Sequence, residues 1–163
     1  MASTRAAARA AIAAWFAPPN VVGLNTIFPS FPLRIADAAY FAGTVPGTQS
    51  GAVAVVHIIR ETETRVAMGG PTSGVKRADF ECSLQVMMHS TLQTAEGATD
   101  DLDAVVNAIK VRLRADRTFG SVDVWQAGEH NLVVDYNEPR MTEKWIENWV
   151  VIGFELSQFL MGT

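Results

Sequence analysis

The stretch Lys76-Arg77-Ala78-Asp79-Phe80-Glu81-Cys82-Ser83-Leu84-Gln85-Val86-Met87-Met88 decides the fold. Phe80, Cys82, Leu84, Val86 and Met88 take every second position, while Asp79, Glu81, Ser83 and Gln85 fill the places between. Successive strand side chains point to opposite faces, so this period of two reads as a long strand with one buried face. Upstream, Thr62, Thr64, Val66 and Met68 alternate with Glu63, Arg65 and Ala67. Gly69-Gly70-Pro71-Thr72-Ser73-Gly74 lies between the two segments, and its turn-forming residues make the pair a long antiparallel hairpin with a projecting tip. Further back, Ala52 to Arg60 is apolar on both faces, as suits a strand covered from two sides. The hairpin region therefore spans residues 52–89.

On the N-terminal side, Gly43-Thr44-Val45-Pro46-Gly47-Thr48-Gln49-Ser50-Gly51 reads as a loop. Residues 20–46 scatter Pro29, Pro32 and Pro46 among Val21, Val22, Leu24, Ile27, Phe28 and Phe31, a pattern for extended cover rather than a central strand. Residues 4–16 read as a helix capped by Ser3 or Thr4, with Ala8, Ala11, Ile12, Trp15 and Phe16 forming its inner stripe. The Ala- and Arg-rich start reads as part of that helix rather than as a cleaved leader, because the run ends in Trp15, Phe16 and Pro18-Pro19.

On the C-terminal side, Leu102, Val105, Val106, Ile109 and Leu113 form the stripe of a helix over 99–115, with Thr99 as cap. Asp100, Asp101 and Asp103 stand in its first turn and Lys110, Arg112 and Arg114 in its last, the order the helix dipole favours. Strands follow over 121–159, short ones around Val122–Gln126 and Leu132–Tyr136 and a long one from about Lys144 to Phe159. In the long one Ile146, Val150, Ile152, Phe154 and Leu156 share a face broken by Asn148, and Trp145, Glu147, Trp149, Val151 and Glu155 share the other. The sum is one α+β domain over 1–163: a mixed, mostly antiparallel sheet of about six strands, packed by two main helices.

With 163 residues, a net charge of −4 and 18% charged residues, the chain has neither the composition of a disordered segment nor the basicity of a general nucleic-acid binder. Cys82 is the only cysteine, so no intrachain disulfide forms, and a reducing cytoplasm is the expected folding compartment. No window has the ~18 consecutive apolar residues of a membrane span. Gly69 and Gly74 have the outer spacing of a phosphate loop, but Val75 stands where the lysine should follow, and a strand comes next instead of a helix. His57 falls among Val53, Val55 and Ile59; His89 ends a strand, His130 lies in a turn, and none has a nucleophile near it in sequence. Cys82 sits on an apolar face beside Glu81, a setting that disfavours a thiolate. The three aspartates lack the glycine and terminal glutamate of a calcium loop. The expectation is no catalytic residue, no cofactor and no metal. Two features point to contacts instead: the basic run of Lys110, Arg112, Arg114 and Arg117, and the large aromatics Trp145 and Trp149 on a partly polar face.

The order of these parts resembles the tail terminator (tail-completion) proteins of long-tailed, non-contractile (siphovirus-type) bacteriophages, particularly those of actinobacterial phages. The resemblance rests on the N-terminal Ala/Arg helix and on Val22-Gly23-Leu24-Asn25-Thr26-Ile27-Phe28-Pro29. It continues through the hairpin from Arg65-Val66-Ala67-Met68-Gly69-Gly70 to Gly74-Val75-Lys76, the helix opening Asp100-Asp101-Leu102, the stretch Arg112-Leu113-Arg114-Ala115-Asp116-Arg117-Thr118, and the closing strand. It implies a homo-oligomer, a hexameric ring at the head-proximal end of the tail tube, assembled in the host bacterial cytoplasm and carried in the virion. Such a ring stops tube polymerisation, meets the major tail tube protein on one side and head-tail connector or neck proteins on the other, and lets DNA pass without specific binding or membrane contact. Its expected contact residues are Arg65, Gly69, Gly70, Pro71, Thr72, Ser73, Gly74, Lys76, Arg77, Arg112, Arg114, Arg117, Trp145 and Trp149. A head-closure or other neck protein of the same virion is the alternative, and a small α+β ligand-binding domain the third.

Overall fold

In the computed structural model, the residues described are 4–42, 50–66, 74–91, 94–120, 125–126 and 132–161. The elements run α1 (Thr4–Phe16), β1 (Leu24–Phe28), α2 (Asp37–Tyr40), β2 (Ser50–Arg65), β3 (Val75–Ser90), α3 (Ala95–Ala115), β4 (Trp125–Gln126), β5 (Val133–Tyr136), β6 (Arg140–Met141) and β7 (Ile146–Met161). They form an α+β fold around one mixed sheet of seven strands in the order β1-β2-β3-β7, with β4, β5 and β6 all pairing along the far edge of β7. Among the described residues only the β1–β2 pair is parallel.

The alternation in 76–88 is obeyed in space. Phe80, Cys82, Leu84, Val86 and Met88 are buried together with Ala52, Ala54, Val56 and Ile58 of β2 and Val150, Ile152, Phe154 and Leu156 of β7. Ala8, Ile12 and Phe16 of α1 and Leu102, Val105, Val106, Ile109 and Leu113 of α3 close over that face. Burying the Val, Leu, Ile, Phe and Met side chains among these, each contributing about 1.5–3 kcal/mol, supplies the main driving force for the fold.

Where the strands and helices begin and end differs from the sequence reading at five places. Ala52–Arg60 and the described part of the next segment, Thr62–Arg65, belong to one strand, β2, because a bulge between Ile58 and Arg60 lets the chain change phase without leaving the ladder; Ala67 and Met68 lie outside the described residues. Arg60 then pairs with Glu81 while Ile59 is extra and exposed. Gly51 is in β2 rather than in the preceding loop; a Cβ there would sit 2.1 Å from the Tyr40 carbonyl oxygen, so only glycine allows this approach. Of that loop, residues 43–49 lie outside the described residues. The second long helix starts at Ala95, not 99. Thr94 caps it by accepting from the Gly97 amide, whereas the Thr99 hydroxyl donates back to the Ala95 carbonyl inside the helix. Glu96 is then the acid of the first turn, and Asp101 instead accepts from the Ser50 hydroxyl at 2.6 Å, fastening α3 to the start of β2. Residues 20–46 contain the edge strand β1 and the four-residue α2, held together by Asn25 Nδ2 and Thr26 Oγ1 donating to the Tyr40 and Ala39 carbonyls. The two-residue strand β6 has too few residues to carry a periodicity and was not foreseen.

Candidate interaction surface

The sheet is not covered evenly. β1 pairs with β2 only from Ala52 to Val55, so among the described residues no strand flanks β2 from Val56 outward. Every residue from Ile59 to Val66 is exposed. β2, β3 and β7 are each 16 residues long and stay paired to their ends, so the hairpin runs out beyond the two long helices as a three-stranded blade.

On the face away from the helices the blade carries charge in cross-strand rows. Arg60, Glu81 and Glu155 form one row, with Arg60 Nε 3.6 Å from Glu81 Oε2. Thr62, Asp79 and Ser157 form the next, where Asp79 accepts from the Ser157 hydroxyl and, at 3.0 Å, from Arg77 Nε. Arg60, Thr62, Arg77, Asp79, Glu81 and Glu155 rim a shallow depression of about 390 Å³. On the other face Lys76 Nζ lies 3.4 Å from Glu63. Exposed pairs of this kind are worth about 0–1 kcal/mol, so they contribute little to holding the fold.

Of the residues expected at contacts, Arg65, Gly74, Lys76 and Arg77 stand at the distal end of this blade, and Gly69, Gly70, Pro71, Thr72 and Ser73 lie outside the described residues. Arg114 and Arg117 are exposed near the end of α3, but Arg112 is engaged inside the fold with its guanidinium 3.5 Å over the Trp15 ring. Trp145 precedes β7 and is half-buried, stacked at 5.7 Å on His89 and at 5.2 Å against Phe41, so it braces the segment around α2. Trp149 does reach the surface, 39% exposed, opposite Met87 on the open face. Two tryptophans four residues apart thus have different settings, because the strand alternation that would align them begins only at Ile146.

The titratable candidates are mostly absorbed by packing. His89 lies face to face with Tyr40 at 3.7 Å, and its Nε2 is 3.5 Å from Glu147. Burial lowers its pKa below the usual 6.5, against the opposing pull of Glu147 and Asp37. His57 meets the edge of Phe31 at 5.4 Å. Cys82 is fully buried, and burial, with Glu155 and Glu81 adding, pushes its thiol up to about 12. Asp103 faces Tyr136, and His130 lies outside the described residues. Among the described residues no group of three or more His, Cys, Asp or Glu side chains could hold a metal ion, and no helix is long and apolar enough to cross a membrane. The Tyr40–His89–Trp145 stack was not legible in the sequence, since its members are 105 residues apart and Tyr40 sits in a proline-rich stretch without periodicity.

No protein-family model matches the chain, and no curated protein sequence matches it.

Proposed function

We propose that the chain is a structural virion protein that forms a ring on the head-proximal end of a phage tail tube, ends tube growth there and offers the surface to which the head joins. The observation that carries the reading is the blade. Three 16-residue strands extend past the helices, one of them with an uncovered outer edge, and unpaired strand edges are natural joining elements between chains. A closed ring needs two different surfaces on each copy. The uncovered edge of β2 with exposed Ile59 and Val66 is one, and the opposite edge of the sheet, where Tyr136 and Met141 are exposed, is suited to be the other. On this reading the chain is not an enzyme and works through contacts alone.

The test removes residues 69–74 and joins Met68 to Val75 through a two-residue turn. The shortened chain should fold, seen as an unchanged far-ultraviolet spectrum, yet virions assembled with it should carry tails without a defined end. Tails of normal length would overturn the proposal. Light scattering of the intact chain with isolated tails separates the alternative: a terminator caps the tube, whereas a head-closure or neck protein ignores tails and binds filled heads.

A further inference from the structure

Asn148 interrupts the otherwise apolar inner row of β7, between Ile146 and Val150 and directly across from Met88. It is 2% exposed, and neither its Nδ2 nor its Oδ1 has a hydrogen-bond partner. Buried polar side chains are paired in the large majority of cases, so an amide with both ends unmet marks a place where a partner is missing. A pocket adjoins the residue, within reach of a turn of its side chain. The β5–β6 connection leaves β7 after Tyr136 pairs with Val150 and returns when Arg140 pairs with Glu147, and α3 lies opposite. Between them is a cavity of about 380 Å³ lined by Thr99, Leu102, Asp103, Tyr136, Asn137, Pro139 and Asn148.

We infer that this cavity is a binding site for a carboxamide, the side-chain group of glutamine or asparagine. An amide offers one donor edge and one acceptor edge side by side, and a second amide satisfies both at once through two N–H···O bonds; the adenine edge of adenosine is the competing match. Occupancy requires the Asn148 side chain to turn from its covered position toward the cavity whose wall it already forms. Asp103 sets the selectivity. Its carboxylate accepts from the Tyr136 hydroxyl and stands at the cavity, so it repels an anionic ligand while remaining an acceptor for the second N–H of an amide. Leu102 and Pro139 give apolar walls for the methylene stem. The volume exceeds one such side chain, which leaves space for the peptide group that carries it.

The experiment uses the full chain labelled with nitrogen-15 and follows the Asn148 side-chain amide signals. N-acetylglutamine methylamide should shift them saturably, and N-acetylglutamate methylamide should bind at least about tenfold more weakly. Asn148→Leu, with its backbone spectrum still dispersed, should lose the response. Asp103→Asn should accept the glutamate derivative as well as the glutamine one, a gain that damage to the fold would not produce. Free glutamine added in parallel separates the sources: tighter binding of the blocked derivative assigns the site to a peptide, and tighter binding of the free amino acid to a small molecule. No saturable shift with either amide, an equal response to the glutamate derivative, or a preference for adenosine would overturn the inference.

Discussion

Trp15 and Arg112 hold each other at three points. The indole N–H donates to the Arg112 carbonyl oxygen at 3.1 Å, Arg112 Nε donates to the Trp15 carbonyl oxygen at 3.1 Å, and the guanidinium lies 3.5 Å over the indole ring. This reciprocal pair locks the end of α1 onto the end of α3, and Phe119 packs beside it, 6.0 Å from Trp15. Arg112 and Trp15 are 97 residues apart, so the contact closes a long loop of chain.

Each hydrogen bond needs one of the two side chains and a backbone carbonyl, and only the stack needs both, so replacing both partners should cost less than the sum of the single losses by the worth of the stack. Arg112→Met removes the stacked cation and one donor, and is expected to destabilise by about 1–3 kcal/mol. Arg112→Lys should recover little, because an ammonium has no planar face to lie on the indole and no Nε to reach the carbonyl. Urea unfolding of the single variants, Trp15→Phe and the double variant gives the coupling energy. Additive losses would mean that the two residues act independently.

Gly51→Ala should be among the most damaging small substitutions in the chain. The new methyl would meet the Tyr40 carbonyl oxygen at 2.1 Å, and that oxygen also accepts from Asn25 Nδ2. The segment around α2 must move away, at an expected loss of about 1–3 kcal/mol. Hydrogen exchange should show faster exchange at residues 37–41 with the α3 amides unchanged; wild-type stability would show that the segment gives way freely.

Stability should fall as the solution is made mildly acidic, through His89. Its folded-state pKa is held below the usual 6.5 chiefly by burial, while Glu147 and Asp37 pull upward and Lys144 adds to the lowering. Below pH 6.5 the unfolded chain takes up the proton before the folded one does, so folding loses stability as pH falls from there toward the folded value. The urea midpoint should drop between about pH 7.5 and about pH 5.5, and the drop should shrink in His89→Asn. The two other histidines and the carboxylates are common to both proteins, so the difference isolates the stacked imidazole.

Cys82 should be silent to thiol reagents until the protein opens. It is fully buried beneath both long helices, its Sγ donates to the Phe80 carbonyl at 3.6 Å, and its pKa of about 12 leaves almost no thiolate at neutral pH. Labelling with a chromogenic disulfide should follow global unfolding, with a rate that rises with urea in step with the loss of secondary structure. Labelling in native buffer within seconds would contradict the placement of β3.

The inner faces of β3 and β7 were readable because period-two alternation is a local signal and both strands obey it through their buried lengths. The stripe of α3 was readable for the same reason at period 3.6. Its cap was not: Thr99, followed by Asp100 and Asp101, reads as the better cap, and only the Thr94 hydroxyl accepting from the Gly97 amide distinguishes the cap from an interior threonine. The bulge at Ile59 hid the unity of β2, since a single extra residue inverts the facing of everything beyond it. The functional surfaces were only partly legible. Arg65, Lys76 and Arg77 were placed at the hairpin end by pattern alone, whereas Arg112 reads in sequence like its neighbours Lys110 and Arg114 and differs only by having Trp15 beneath it. Asn148 was visible as a break in the row, but the pocket beside it depends on where Pro139 and Asp103 come to lie.

A 16-residue strand spans about 50 Å, and in the blade three of them run side by side, paired from end to end. A pull on the outer tip along the strand axes, resisted at the far end of β7, would load the β3–β7 ladder in shear. Its rungs would then share the load at once instead of opening one after another. Traction across the blade would peel the same bonds singly. The sheet is thereby stiff in one direction and compliant in another.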